Sequence, residues 1–310
     1  MHYTSFKLRP KHFLSFTGLK VEEFDRLVLD IHNDWVEQRL NRLENNNPNR
    51  LRKIGGGRKQ ILDTLEDQLL LTLLWTKLYS SYLLLEYLFG VDESTAFRII
   101  QKTLLLPQDR FVFQDPRKSG RKKITTLEEL RKLIPDLDDI LMDATEQPIP
   151  RPEKKRKRVK YHSGKKKRFT LKTQIATTKQ GFILHLSRAS PGRQHDYKVF
   201  KASILPKIIP KGSRLYGDSG YQGIQKDFPE LHSVIPFKRT RSHKKLTRSE
   251  KIQNTKQRKI RIRVEHAFSR LKKYRVLSET YRHSLRNYDT TFRFVANIVN
   301  FRMLQRVQAA

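Results

Sequence analysis

Phe169-Thr170-Leu171-Lys172-Thr173-Gln174-Ile175-Ala176-Thr177 is followed by Lys179-Gln180-Gly181 and then by Phe182-Ile183-Leu184-His185-Leu186-Ser187-Arg188. Both flanks are rich in β-branched and aromatic residues, and the short joint between them reads as a hairpin. Upstream, Ile140-Leu141-Met142 is a short apolar strand ending in the acid Asp143. Downstream, Arg214–Gly217 reads as a strand ending at Asp218, and Ser233–Phe237 as a fifth. Helical patterns fill the intervals at His195–Lys201, from Ile260 to Tyr274 and from Tyr288 to Val307. Three meandering strands, then helix-separated strands and closing helices, predict an α/β domain with a mixed sheet over residues 125–310.

The first 110 residues carry a different pattern. Leu19–Val28 repeats apolar residues at helical spacing, Glu44–Asn49 reads as a loop and Gly55-Gly56-Gly57 as a flexible joint. Ile61–Tyr79, with Leu62, Leu65, Leu69 and Leu73 on one face, predicts a buried helix. Ser80-Ser81 opens a short helix to Phe89, Gly90-Val91-Asp92 makes a turn, and Glu93–Leu105 forms a helix stopped by Pro107. Residues 61–105 therefore predict a helix-turn-helix inside an all-helical region spanning 1–110. Ala96, Ile99, Ile100 and Leu104 would face inward. Ser94, Thr95, Arg98, Gln101 and Lys102 would face outward, where each can bond a phosphate or a base edge. Two helices joined by a glycine turn are also a common packing unit, so the charge of the chain must decide.

That charge is large. The 310 residues hold 65 Lys+Arg against 31 Asp+Glu, a formal net charge of +34. Self-repulsion of this size calls for a polyanion, and nucleic acid is the leading partner. A purely structural nucleic-acid binder is the plainer version of this reading. An anionic membrane surface comes third, because no long basic amphipathic helix is visible. Leu65–Phe89 is the most apolar stretch, but Glu66, Asp67, Lys77 and Glu86 interrupt it, so no membrane helix is expected. The start does not read as a signal peptide, which makes a soluble, cytoplasmic protein the expectation. With no cysteine, disulfide scaffolds and Cys-ligated metal sites are excluded.

The basic charge is concentrated. Arg151–Arg168 holds eleven Lys/Arg in eighteen residues with Glu153 the only acid, and Lys238–Arg263 holds twelve in twenty-six with Glu250 the only acid. Lying between strands of a folded unit, both segments read as DNA-contacting loops rather than tails. Against this background three acids stand out. Asp143 and Asp218 end apolar strands, and Glu265 lies on a helix between Arg261 at i−4 and Lys272 at i+7. A lone Asp after a strand is usually a cap, and a Glu four residues from an Arg is usually a surface ion pair. Three together can cradle hard divalent cations, since Mg²⁺ takes one or two carboxylates plus substrate phosphates. Two such ions can stabilise the attacking and leaving oxygens of a phosphodiester displacement.

Four segments carry a resemblance. They are Met142-Asp143-Ala144-Thr145-Glu146-Gln147-Pro148-Ile149 with Arg151-Pro152, Tyr161–Lys172, Tyr216-Gly217-Asp218-Ser219-Gly220-Tyr221-Gln222-Gly223, and Arg261–Phe268 with Leu271-Lys272. In this order the sequence resembles the DDE transposases of bacterial insertion sequences, in the branch that also resembles eukaryotic Harbinger-type nucleases. The resemblance implies a ribonuclease H-like catalytic domain with Asp143, Asp218 and Glu265 as ligands of two Mg²⁺ ions, for which Mn²⁺ could substitute. It implies Arg261 and Lys272 as contacts to terminal DNA. Lys165, Lys166, Lys167 and Arg168, in the first basic segment, lack the regular apolar spacing of a recognition helix and read as contacts to the DNA backbone. His195-Asp196 matches an internal His-Asp pair of this branch, for a helix cap or an active-site contact. His185 and His266 read as packing or DNA-facing residues. Arg258 stands where related elements often carry a Tyr, seven residues before the Glu. The implied activity is cleavage at inverted terminal repeats and joining of 3′ ends to target DNA, by a homodimer associated with the nucleoid. A Harbinger-like host endonuclease and a catalytically silent DNA-binding regulator are the alternatives.

Overall fold

The computed structural model describes residues 1–46, 60–106, 137–209, 212–239, 241 and 244–308. Two compact units divide the chain. One comprises Met1–Gln108, Tyr274–Val276 and Asn297–Ala310, and the other Asp109–Lys273 and Leu277–Ala296.

The first unit is helical: α1 (Tyr3–Phe6), α2 (Pro10–Thr17), α3 (Val21–Asn46), α4 (Leu65–Leu78), α5 (Tyr82–Phe89) and α6 (Glu93–Thr103). Aromatic packing joins the first three, with Tyr3 stacked on Phe24 at 4.9 Å and Phe13 edge-on to Phe24 at 5.2 Å. Helix α4 is buried on every side from Leu69 to Thr76, as expected of a helix that is apolar all round. The Thr64 side chain caps α4 by accepting from the Asp67 N–H at 3.2 Å. The Asp67 carboxylate in turn accepts from the Tyr3 N–H at 2.6 Å, which fixes the chain start to the central helix. Helix α5 is capped by Ser81 and α6 by Asp92, with the turn at Gly90 between them. Ala96, Ile99, Ile100 and Leu104 are buried against α4 and α5, as their spacing predicts.

One local expectation needs adjustment here. Helix α3 runs through Glu44 and Asn45 to Asn46, so the first part of the expected Glu44–Asn49 loop is helical. Gly55-Gly56-Gly57, Pro107 and the boundary near residue 125 lie outside the described residues.

The second unit is a mixed α/β domain of the ribonuclease H-like kind. Its strands are β1 (Asp139–Pro148), β2 (His162–Ser163), β3 (Arg168–Thr178), β4 (Ile183–Leu186), β5 (Ser190–Pro191), β6 (Arg214–Tyr216) and β7 (His232–Val234). The order is β2-β3-β1-β6-β7, with β4 and β5 also paired to β3. Strand β1 is antiparallel to β3 from Ile140↔Thr178 to Pro148↔Thr170, and parallel to β6 with Leu141 opposite Tyr216. Parallel neighbours require a crossover. Short helices α8 (Asp196–Ala202) and α9 (Leu205–Ile208) occupy the segment before β6, and α10 (Ile224–Asp227) the segment before β7. The long α11 (Arg248–Lys272) packs on β1 and β3 through Val264, Ala267, Phe268 and Leu271, and α12 spans Tyr288–Gln308.

At the foot of the β1–β6 pair, Arg214 makes a two-pronged ion pair with buried Asp139, at 2.6 and 2.8 Å. Lys179 pairs with the same carboxylate. Burial pushes this acid up, but the two cations overcome it and hold the carboxyl below its ordinary value.

The structure corrects the sequence reading in two places. Asp143 does not end a short strand but sits inside a ten-residue one. Polar residues that follow it, such as Gln147 and Thr145, are buried in the sheet, which is why apolar content alone truncates the strand. The two basic segments are also not simply loops. Lys155–Tyr161 forms helix α7, and α11 begins at Arg248, where Thr247 and Glu250 make a capping box.

The β3–β4 hairpin turns at Gly181, whose φ is +86°. A Cβ there would lie 2.1 Å from the Arg270 guanidinium that donates to the Gly181 carbonyl at 2.8 Å. Gly181→Ala should therefore destabilise the domain by about 1–2 kcal/mol through left-handed backbone strain, with loss of the Arg270 bond in addition. Urea unfolding monitored by circular dichroism reads this directly, and an unchanged midpoint would contradict it.

Candidate active site

The sheet register brings two acids together. Leu141 on β1 lies beside Tyr216 on β6, and two residues further along each chain come Asp143 and Asp218. The Asp143 Oδ1 accepts from the Ala144 N–H at 2.8 Å, and Arg261 on α11 approaches Oδ2 at 3.9 Å. Asp218 opens a single 3₁₀ turn, Ser219–Tyr221, in which its Oδ1 accepts from the Gly220 N–H at 2.8 Å. Burial pushes the Asp143 carboxyl up to about 6. The Ala144 N–H and Arg261 oppose this, while the neighbouring carboxylates of Asp218 and Asp196 reinforce it. Beneath them Tyr221 is fully buried and accepts from Gln174 Nε2 at 3.0 Å. Burial and then Asp196, Asp143 and Asp218 push its phenol well above the ordinary value, which marks it as the floor of an acidic site.

A second group surrounds Lys172 on β3. Lys172 Nζ donates to the Gln194 carbonyl at 2.7 Å, lies 2.6 Å from Asp196 Oδ1 and stands 3.6 Å from Glu146 Oε1. Glu146 and Lys172 are direct cross-strand partners, and Thr170 donates to the other Glu146 oxygen at 2.8 Å. A buried ion pair of this kind is strongly destabilised if one partner is lost.

Both groups open on one cavity of about 350 Å³. Asp143, Glu146 and Asp196 line it together with Lys165, Lys166, Arg193 and Lys272. Desolvation followed by the charge of Lys166 lowers the pKa of Lys272, with Asp143 acting in the other direction. Acids and cations thus share one opening, with the cations on the turn after Ser163, the loop before α8 and the end of α11.

The expected residues distribute unevenly. Asp143 and Asp218 are adjacent. Glu265 is exposed on α11, one residue after buried Val264. Among the described residues no three His, Asp or Glu side chains are close enough together to hold one ion. Arg261 and Lys272 both face Asp143. Lys165, Lys166 and Lys167 are exposed on a turn where the Ser163 carbonyl accepts from the Lys167 N–H at 2.8 Å, and Arg168 is exposed at the start of β3. On α6, Ser94 and Arg98 are exposed, while Thr95, Gln101 and Lys102 are half-buried. Their side chains are partly occupied. The Asp92 carboxylate accepts from both the Ser94 and Thr95 hydroxyls, and Arg98 donates to Ser94 and Thr95. His195 caps α8 through Nδ1, accepting from the Tyr197 N–H at 3.3 Å, and also lines the cavity. His185 is buried packing, its pKa pushed down to about 3 by burial and then by Arg293, whereas His266 is exposed. The sequence reading assigned no role to Glu146 or Lys172. Their signal is the β1–β3 register, which only pairing reveals.

Comparison with known proteins adds to this geometry. Residues 142–300 match the family described as DDE superfamily endonuclease, and residues 60–113 match the helix-turn-helix of DDE superfamily endonuclease. The chain is 31% identical over 243 residues to a probable transposase for insertion sequence element IS702 from Microchaete diplosiphon, an overlap of 77% of this chain and 81% of the relative. The chain belongs to the DDE transposases of insertion sequences. Kinship with Harbinger-type nucleases remains part of the sequence resemblance alone. Members of this family depend on divalent metal ions, and the residues present suit a hard cation. Asp143 and Asp218 offer oxygen donors only, and the charge repulsion between these half-buried carboxylates is of the kind that a bound cation relieves.

A side chain at Gly220 would press directly on the acids of the site. A Cβ would lie 2.8 Å from Asp218 Oδ1 and 3.6 Å from Asp196 Oδ2. The obstacle is a movable carboxylate rather than backbone, so Gly220→Ala should fold normally yet displace Asp218. A shift of this size near reacting groups costs on the order of a hundredfold in rate. The expected outcome is an unchanged melting temperature with cleavage of a terminal-repeat duplex reduced by about that factor. Full cleavage by the variant would show that the Asp218 position is not critical.

Proposed function

We propose that this transposase cleaves DNA at the inverted terminal repeats of its own element and joins the freed 3′ ends to target DNA. The observation that carries the reading is the strand pairing that brings Asp218 near Asp143, which itself lines a cavity whose other wall is cationic. Asp143 and Asp218, completed by Glu265, hold two Mg²⁺ ions, with Mn²⁺ able to substitute. When bound, the ions supply charge stabilisation of the phosphoryl transfer and activation of its nucleophile. Arg261 keeps the Asp143 carboxylate ionised and oriented. Lys272, Lys165 and Lys166 hold the phosphates of the terminal strand next to the acids, so the DNA backbone is bound where the acids offset the positive surface. Lys167 and Arg168 extend this contact along the backbone.

Helix α6 supplies the sequence reading. Arg98 is its best candidate for a two-pronged guanine contact, with Ser94, Thr95, Gln101 and Lys102 around it. Its ties to Ser94 and Thr95 favour a pre-set guanidinium. Two element ends must be processed together, which makes a homodimer the working unit, acting on the nucleoid in the cytoplasm.

The test of the acids is a cleavage assay on a terminal-repeat duplex in Mg²⁺. Asp143→Asn, Asp218→Asn and Glu265→Gln should each lower cleavage by at least about a thousandfold, the effect of losing several kcal/mol of charge stabilisation. Duplex binding should be nearly unaffected. A variant that cleaves at the wild-type rate removes that residue from the set.

The role of the lysine turn is tested by salt titration. Each phosphate contact contributes about 0.9 to the slope of log affinity against log salt on duplex DNA. Replacing Lys165, Lys166 and Lys167 together with Gln should flatten the slope by up to about 2.7, equally on terminal-repeat and random duplexes. An unchanged slope would show that the turn is merely solvated.

A further inference from the structure

Asp196 has no part in the chemistry proposed above, yet it is built into the same site. It opens α8, where His195 already supplies the cap, so capping does not account for its carboxylate. An acid in the first turn gains from the helix dipole, but that gain needs no burial and no partner. Here Asp196 Oδ1 is 2.6 Å from Lys172 Nζ, whose remaining contacts are the Gln194 carbonyl and Glu146. The Gln194 carbonyl accepts its hydrogen bond and the two carboxylates flank it as ion-pair partners, so the Lys172 charge is engaged by Asp196 and Glu146 rather than by a DNA phosphate. The opposite oxygen turns towards the catalytic acids. Oδ2 lies 3.6 Å from the position of a Cβ on Gly220, the residue whose N–H bonds Asp218 Oδ1.

We propose that Asp196, clamped by Lys172, is a third cation-facing carboxylate of this site, acting on the ion's water shell beside Asp143 and Asp218 rather than as a direct ligand. The inference rests on the proposed roles of Asp143 and Asp218. Mg²⁺ gives up water reluctantly and keeps several molecules when bound by few carboxylates. Those waters need acceptors, and partners beyond the direct ligands contribute strongly to metal affinity. Lys172 holds the third acid away from the other two, and Glu146 balances the lysine. The β1–β3 register, which places Glu146 opposite Lys172, is thus part of the cation site.

The experiment titrates the full chain, without DNA, with Mn²⁺ at neutral pH, following free Mn²⁺ by electron paramagnetic resonance. Melting in EDTA is recorded for every variant. Asp196→Asn should weaken Mn²⁺ binding about tenfold to a hundredfold, and Asp196→Glu should recover much of the loss because the charge is retained. Asp196→Ser replaces the Asn variant if the latter melts early in EDTA. Wild-type Mn²⁺ affinity in the neutral variants would overturn the proposal and leave Asp196 as a structural partner of Lys172. A Glu variant as weak as the Asn variant would also overturn it, since lost packing rather than lost charge would then be responsible. Asp143→Asn is the separate control. If it too binds Mn²⁺ like the wild type, the proposed cation site itself fails, whatever Asp196 does.

Discussion

Everything in the catalytic domain depends on the parallel pairing of β1 with β6. Parallel strands run in the same direction, so residues equally far beyond a paired position emerge side by side. Leu141 and Tyr216 are such a pair, and Asp143 and Asp218 follow each by two residues. The two-pronged Arg214–Asp139 contact fastens the same pair of strands at its start. Two carboxylates placed together in this way repel, and Asp143 shows it in a carboxyl pushed up to about 6 by burial and by its acidic neighbours. Arg261 on α11 opposes that rise.

The chain supplies positive charge in two distinct ways. Lys172 and Arg261 are engaged with acids and belong to the architecture. Lys165, Lys166 and Lys167 are exposed on a turn and face solvent, as does Arg168 at the start of β3. A net charge of +34 says nothing about this division, because composition does not distinguish a buried strut from a phosphate contact. Burial does. Lysines packed against carboxylates lose hydration and gain fixed partners, whereas those on the turn keep both their water and their freedom.

Legibility in the sequence followed the range of the interactions. The helix-turn-helix was readable because its determinants are local: Ser81 and Asp92 caps, the turn at Gly90 and apolar residues at helical spacing. The β3–β4 hairpin was readable for the same reason. Strand β1 was read too short, since Thr145 and Gln147 look like surface residues until the sheet buries them. The start of α11 was read too late, because Arg248–Lys259 has few apolar residues and is initiated by the Thr247–Glu250 capping box.

The sequence by itself determined the class of the protein: a basic chain with a helical helix-turn-helix region, a mixed-sheet domain, and an ordered set of acids that marks the DDE family. Those features are encoded in residue types and short spacings. Tertiary structure alone decided which acids meet. It joined Asp218 to Asp143 across more than seventy residues, left Glu265 exposed on α11, and brought in Asp196 through a lysine from another strand. The physical reason is that strand register and crossover geometry fix distances between residues remote in sequence, and charge interactions of this strength exist only once those distances are short.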